Sequence, residues 1–138
     1  MFWFVIIQAT YLVCVHVTLG GLALAFAVGI GVVSFLFLET VNYIEHYGLL
    51  RLKNVSGRYE RVKKIHSWNS NHVVGRIILY ELTRHSDHHY KSAKKYQILE
   101  SHEESPILPF GYPTSMLLAM IPPLWFRVMN KRVPVNMI

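Results

Sequence analysis

Apolar residues fill the start of the chain so completely that no polar face remains for an amphipathic helix. No Asp, Glu, Lys or Arg occurs from Met1 to Leu38, and Glu39 is the first charged residue. A helix of roughly 20 apolar residues crosses the 30 Å hydrocarbon core of a bilayer, so this block is nearly long enough for two crossings. The Gly20-Gly21 pair is the expected break. It predicts spans from about Phe2 to Leu19 and from about Leu22 to Leu38, packed as an antiparallel hairpin; a single long tilted helix is the alternative.

A second apolar stretch lies near the C-terminus, from Thr114 to Met129. It is short for a membrane span, and Pro122-Pro123 interrupts it. Trp125 to Arg127 then combine aromatic and basic side chains, which favours an interfacial or re-entrant element. The pattern as a whole predicts an all-α, integral membrane helical bundle. Residues 1–38 would form the transmembrane hairpin, and residues 39–138 a cytoplasmic or interfacial region of one domain.

The charge distribution predicts the orientation of this bundle. The chain carries 14 basic and 8 acidic residues, all after the apolar block. Eleven Lys and Arg against three acids lie between Gly48 and Lys95. A basic segment next to a span belongs on the cytoplasmic face of the membrane. Aromatic residues interleave with the basic ones, as in nucleic-acid-binding patches, but the neighbouring membrane segment already explains the charge, so no nucleic-acid partner is predicted.

Histidines supply the candidate chemistry. Eight occur in 138 residues, and the densest group is the segment Arg84–His89. His85, His88 and His89 are spaced i, i+3 and i+4, so on a helix they share one face. The residues before them, Ile77–Leu82, are compatible with a helix leading into the group. Three neutral imidazoles on one face suit iron, zinc or copper, whereas the competing interpretation is a solvated polar face.

Carboxylates accompany these histidines. Asp87 lies within the group, and Glu81 is expected one turn before His85, where either could accept the free ring N–H of a ligating imidazole. Glu45 is a candidate for the same role beside His46, which follows the apolar block and is a further candidate ligand. Taken alone, a His beside a Glu is more often a hydrogen-bonded structural residue.

The remaining histidines are weaker candidates. His66 and His72 are six residues apart, a spacing that does not place both on one helical face. A hydrogen-bonding or interface role is the default for each. His102, in an acidic loop, is expected to be exposed to solvent.

Six motifs occur in an order that resembles a known family. They are NYIEHYGLLR at 42–51, HSWNSN at 66–71, LTRHSDHH at 82–89, KKYQIL at 94–99, LPFGYP at 108–113 and IPPLWFRVMNKRV at 121–133. In this order they resemble the C-terminal part of the bacterial alkane 1-monooxygenases, within the membrane fatty acid desaturase/hydroxylase superfamily. The match covers essentially the whole chain, and Thr83 departs from it where Gln is usual.

The resemblance implies a function. It implies a non-haem di-iron centre that hydroxylates the terminal methyl group of alkanes to primary alcohols, using dioxygen and electrons from a rubredoxin-type protein, at the cytoplasmic face of the bacterial inner membrane. Lipid and an apolar substrate would contact the spans. Carried over by motif, His46, His85, His88 and His89 would be iron ligands.

The same resemblance implies that part of the site is absent. The family has two earlier histidine boxes, and neither occurs in this sequence. Four imidazoles do not complete two irons, so the chain is expected to be a fragment, or a truncated product that needs a partner, and to be inactive alone. Two alternatives stay open: an aryl-methyl or fatty-acyl hydroxylase or desaturase of the same superfamily, and an inactive metal-binding membrane remnant.

Overall fold

The computed structural model of the chain describes residues 1–137 and is helical. Its α-helices are α1 (Phe2–His46), α2 (Val73–Ile78), α3 (His85–Tyr90), α4 (Tyr112–Ala119) and α5 (Pro122–Met129), and 3₁₀ turns occupy Lys64–His66, Tyr96–Ile98 and Val135–Met137. Within residues 1–137 extended pairing is limited to two isolated bridges, Lys53 with Tyr59 and Asn69 with Ile107. The predicted all-α class is therefore confirmed.

The first compact unit is Met1–Glu39, almost all of it within α1. Its side chains are mostly exposed, and α1 is long and apolar enough to cross a membrane. Gly20 interrupts the helix with φ 85° and ψ 177°, a backbone conformation that glycine adopts without a Cβ penalty. The interruption falls at the expected break. The apolar block therefore contains two helical segments that meet at Gly20, and their packing as an antiparallel hairpin stays a prediction.

The second unit, which begins at Thr40, has its own apolar core. The buried side chains of this core are Ile44, Trp68, Leu108, Tyr112, Trp125 and Met129. They come from the end of α1, from irregular segments and from the two C-terminal helices. Trp125 is 1% exposed and thus belongs to the core, while the interfacial or re-entrant position of this stretch stays a prediction. The expected break at Pro122 is present, since α5 begins at this residue. Proline is favourable there because the first turn of a helix does not use the N–H that proline lacks.

The segment His66–Asn71, which we call the connecting segment, links two parts of this unit. The backbone N–H of Trp68 donates to the Glu45 carbonyl in α1 at 2.8 Å. The N–H of Ser70 donates to the Thr83 carbonyl just before α3, also at 2.8 Å. The side chains of Ser67, Asn69 and Ser70 are fully buried, and the Asn69 side-chain oxygen accepts the N–H of Ser86 in α3 at 2.9 Å. The connecting segment therefore holds the end of α1 against the start of α3.

The prediction of a helix that leads through Ile77–Leu82 into the histidine group is wrong. Helix α2 ends at Ile78, and Tyr80 and Glu81 adopt positive φ values of 50° and 63°. The Glu81 N–H donates to the Arg76 carbonyl at 2.8 Å, and the Glu81 carboxylate accepts hydrogen bonds from two nitrogens of the Arg76 guanidinium. These contacts stabilise a turn at the position where the helix was expected to continue. A new helix then begins at His85.

Candidate metal centre

His46, at the end of α1, presents one ring nitrogen to α3. Its Nδ1 lies 3.3 Å from the His66 carbonyl oxygen and 3.4 Å from the Ser67 hydroxyl, so the connecting segment accepts the Nδ1 proton. Its Nε2 then carries a lone pair and lies 3.3 Å from Nε2 of His85. A ligating histidine commonly has this arrangement, with the far N–H held by a carbonyl and the near nitrogen free.

Helix α3 supplies the other imidazoles. One ligand atom from each of His46, His85 and His89 lies within 4.8 Å of the other two. The ring centroids of His85 and His89 are 4.3 Å apart, and each of them is 5.1 Å from the ring of His46. His88 is adjacent, with its centroid 5.7 Å from that of His89. The structure thus brings together three of the four histidines expected as ligands and leaves His88 at the edge.

A carboxylate and a phenol complete the surroundings of His85. Glu45 Oε2 lies 3.2 Å from His85 Nε2, and the Tyr112 hydroxyl donates to Glu45 Oε1 at 2.8 Å. Glu45 and Tyr112 are 4% and 1% exposed. Burial and the nearby Glu45 raise the pKa of Tyr112, which therefore stays a hydrogen-bond donor.

The environment keeps the imidazoles of His85 and His89 neutral. Burial, assisted by the neighbouring rings of His89, His46 and His88, lowers the pKa of His85 to about 3. Burial and the neighbouring rings of His46 and His88 also lower the pKa of His89. Neutral imidazole is the form that binds a metal ion, so no proton has to be removed from His85 or His89 at neutral pH.

Two of the expected carboxylate partners point elsewhere. Glu81 pairs with the Arg76 and Arg84 guanidinium groups, 2.8 and 3.5 Å away. Asp87 contacts Lys94 at 2.7 Å and His102 at 3.1 Å. Among the contacts that the structure describes, Glu45 is the carboxylate that meets the His46, His85 and His89 group.

The surroundings of Asp87 stabilise its charge. Burial alone would raise the pKa of Asp87, but hydrogen bonds from the Lys94 ammonium, the Glu100 N–H and His102 lower it to about 2. His102 is consequently half-buried, and its expected exposure is wrong. Asp87, Glu100 and His102 also offer ligand atoms within 4.8 Å of one another, but the Lys94 ammonium already supplies the positive charge there.

A family model described as fatty acid desaturase matches residues 1–119 of the chain. The chain belongs to the fatty acid desaturase family.

Individual relatives show which members of the family the chain is similar to. The chain is 47% identical over 133 residues to alkane 1-monooxygenase 2 of Alcanivorax borkumensis, covering 96% of this chain and 35% of that protein. It is 54% identical over 95 residues to an alkane 1-monooxygenase of Acinetobacter baylyi, covering 69% and 23%. It is 32% identical over 94 residues to the xylene/toluene monooxygenase hydroxylase component XylM of Pseudomonas putida, covering 68% and 24%. The expected resemblance to alkane 1-monooxygenases is confirmed, and this desaturase-family chain spans about a third of the length of the curated relatives that match most of it.

The nitrogen geometry of this desaturase-family chain fits a metal ion. Two nitrogens bound to one ion at about 2.1 Å lie roughly 3.0 to 3.4 Å apart for bond angles between about 90° and 109°. The two Nε2 atoms of His46 and His85 are 3.3 Å apart. A hydrogen bond from His85 to the Leu82 backbone leaves its other nitrogen, Nε2, facing Nε2 of His46 and Oε2 of Glu45. Burial raises the pKa of Glu45 to about 7, so either a proton on this carboxyl group or a cation between the three atoms would relieve their repulsion.

A cleft beside the histidines gives access to them. Its volume is about 420 Å³, and its lining includes His46, His89, Arg51 and Tyr59. It offers room for a small molecule next to the imidazoles of His46 and His89, and Glu45 and Tyr112 are not among its lining residues.

Sequence reasoning missed the residues that support the ligands. His66 acts through its backbone carbonyl, and its own Nδ1 accepts the Lys63 N–H at 3.0 Å while its Nε2 lies 3.3 Å from Glu60. Nδ1 of His66 is thus hydrogen-bonded within the protein, and its buried Nε2 faces the Glu60 carboxylate. His72 lies outside the described histidine cluster. Nothing in the sequence around Tyr112 indicated a role at the metal centre, because the proline and glycine residues of the LPFGYP motif are typical of a turn.

Proposed function

We propose that this chain forms part of a non-haem di-iron membrane monooxygenase that converts the terminal methyl group of alkanes to a primary alcohol. The overall reaction inserts one oxygen atom of dioxygen into a C–H bond and reduces the other to water, with two electrons and two protons supplied from outside. A rubredoxin-type protein is the proposed electron donor. The chain spans about a third of the length of these relatives, so we propose the whole activity only for a protein that also has the region they possess in addition.

The observation that carries this proposal is the convergence of His46, His85 and His89 in a chain whose relatives bear the name alkane 1-monooxygenase. These three histidines would hold iron, with His88 as the fourth proposed ligand, and the further ligands of two irons would come from the region that the relatives possess in addition. Bound iron supplies the activation of dioxygen, which no side chain can perform.

The remaining residues of the site have separate tasks. The His66 carbonyl holds the His46 proton at Nδ1, which leaves Nε2 for the metal. Glu45 places a carboxyl oxygen 3.2 Å from His85 Nε2, and although burial raises the pKa of Glu45 to about 7, a cation bound at this nitrogen would favour the ionised carboxylate. The apolar surface of α1 suits an alkane dissolved in the lipid, while the cleft beside the histidines suits the approach of dioxygen.

A xylene-type methyl hydroxylase is the second candidate. The 32% identity to XylM favours it, because that relative is named for xylene and toluene. The higher identities to alkane 1-monooxygenases favour the first proposal. A fatty-acyl hydroxylase or desaturase rests only on the description of the family model.

Metal analysis tests the proposed ligands. The chain is produced in bacterial membranes, purified in detergent, loaded with ferrous iron without oxygen, and analysed for iron by mass spectrometry. Alanine at His46, His85 or His89 should lower the iron content strongly, and His72→Ala, a matched loss of imidazole outside the cluster, should not. Equal iron content in all four variants would contradict the ligand assignment.

A chimera tests the reaction. The chain replaces the matching third of the Alcanivorax borkumensis relative, and membranes are supplied with octane, para-xylene or a fatty acyl substrate, together with dioxygen and reduced rubredoxin. We expect 1-octanol from the chimera and no product from the chain alone. Turnover of para-xylene in preference to octane would favour the second candidate, and turnover by the isolated chain would refute the expectation that it is inactive alone.

A further inference from the structure

We propose that Tyr112 is a positioning residue of the metal centre: its hydroxyl holds Glu45 so that the second carboxylate oxygen faces His85 Nε2. The inference rests on the proposed metal centre, because it gives Tyr112 a role in how that centre binds its ion. It assigns a function to a residue that lies 27 positions after His85 and touches none of the proposed ligands in the described contacts.

Glu45 has its two oxygens in different contacts. Oε1 accepts the Tyr112 hydroxyl at 2.8 Å, and Oε2 lies 3.2 Å from His85 Nε2. Tyr112 is the donor that the described contacts give to Oε1. Without it, a 4% exposed carboxylate would lack a partner for one oxygen and would lower its energy by rotating toward another donor. Any such rotation moves Oε2 away from His85.

Tyr112 itself has little freedom to move. It is 1% exposed, it begins helix α4, and its ring belongs to the core that includes Ile44, the residue just before Glu45. Gly75 of α2 lies next to it, since a Cβ built at Gly75 would be at an ordinary packing distance of 3.9 Å from the Tyr112 Cβ. The hydroxyl is therefore a fixed donor on a fixed ring.

The contacts connect three elements in series. Helix α4 provides Tyr112, α1 provides Glu45, and α3 provides His85. The same His85 nitrogen faces His46 Nε2 at 3.3 Å. A displacement at α4 consequently changes the distances between the proposed ligand atoms without touching any of them. Partners of this kind typically change metal affinity by about 10- to 100-fold when removed.

The test compares four forms of the chain in detergent: wild type, Tyr112→Phe, Glu45→Ala and the double variant. Affinity for ferrous iron is measured anaerobically by competition with a chelator. We expect Tyr112→Phe to weaken binding about tenfold, at the lower end of the range for such partners. We expect the double variant to match Glu45→Ala, because a residue that acts through Glu45 has nothing to position once the carboxylate is gone. Additive losses would mean that Tyr112 acts through the core alone, and would overturn the inference.

Tyr47→Phe is the matched control. The Tyr47 hydroxyl also donates a hydrogen bond, to the Asn130 side-chain oxygen, and its ring packs at the same core, but it does not contact Glu45 in the structure. It should leave iron affinity unchanged. A tenfold loss in Tyr47→Phe as well would show a general response to losing a phenol. Glu45→Gln, which keeps the side-chain volume, takes the place of Glu45→Ala if the alanine variant does not fold.

Nitrogen NMR of the metal-free chain separates this inference from the proposed function. With ¹⁵N-labelled histidine, Tyr112→Phe should shift the His85 ring signals, and Tyr47→Phe should not. Unchanged His85 signals overturn the positioning role whether or not the chain binds iron. Shifted signals in a chain that binds no iron would support the geometric role and refute the proposed metal centre.

Discussion

Replacing Gly48 with alanine tests how closely the chain that leaves α1 packs against the C-terminal region. Gly48 has φ +70°, and a Cβ built on it would lie 2.5 Å from Cγ2 and 3.2 Å from Cγ1 of Val133. The left-handed backbone costs a residue with a Cβ about 1 to 2 kcal/mol. Forcing a methyl group into a packed site costs about 1 to 3 kcal/mol more, because the β-branched valine cannot rotate freely away.

Gly57 provides a control that carries only the first of these costs. Its φ is +76°, and no atom lies within 4 Å of the position of a Cβ. Gly57→Ala should therefore lower the free energy of unfolding by about 1 to 2 kcal/mol. Gly48→Ala should lower it by about 2 to 5 kcal/mol. The difference between the two variants measures the contact with Val133.

Chemical unfolding in mild detergent, followed by the fluorescence of Trp68 and Trp125 in the core, gives the required free energies. Val133→Ala removes both methyl groups that a Cβ at Gly48 would meet. In that background Gly48→Ala should cost no more than Gly57→Ala. Equal destabilisation by Gly48→Ala and Gly57→Ala in the wild-type background would refute the proposed close packing.

Three further outcomes are expected. Tyr80→Gly should stabilise the chain by about 1 kcal/mol, since Tyr80 has φ 50° and is 66% exposed, whereas Tyr80→Ala should not, because it keeps the Cβ; the same unfolding assay decides. Cys14, the single cysteine, should react with a membrane-impermeant maleimide only after detergent is added. As a control, Ser56→Cys at an exposed position in a Cys14→Ala background should react in inverted vesicles, whose outer surface is the cytoplasmic side. Labelling of Cys14 in intact membranes would contradict membrane insertion. Glu60→Ala should weaken iron binding about tenfold by loosening the turn at His66, and Glu60→Gln should weaken it less, because it keeps an acceptor for the His66 ring; equal affinities in the chelator assay would exclude this role.

The sequence was most informative where one physical rule acts alone. Thirty-eight residues without a charge predict an apolar helix long enough for a membrane, and Gly20 marks its interruption. The spacing of His85, His88 and His89 predicts adjacent imidazoles on a helix, and α3 begins at the first of them. These features depend on local composition or on helical periodicity, and both can be determined from the sequence directly.

Prediction failed where a side chain had a choice of partners. The sequence makes Glu81 a candidate partner of the histidines, but Arg76, only five residues away, donates hydrogen bonds to its carboxylate, and a turn stands in place of the expected helix. Asp87 lies among the histidines in sequence, yet its carboxylate contacts Lys94 and His102. Helical spacing gives the direction of a side chain relative to its own helix. It does not give the charges that other segments bring to it.

The connecting segment explains why the supporting residues of the site were harder to find than its ligands. His46 and His85 are 39 positions apart in the sequence. A metal centre requires each ligand nitrogen to stay within about 0.5 Å of the position that binds the ion. Two backbone hydrogen bonds of the connecting segment, from Trp68 and Ser70, set that distance, and they have no sequence signature because any residue except proline can donate them. Substitutions in this buried segment should therefore lower stability and metal affinity together. The Tyr112 hydroxyl is different, since removing one oxygen atom changes the orientation of Glu45 while the ring keeps its place in the core, and it is at this position that the two effects can be separated.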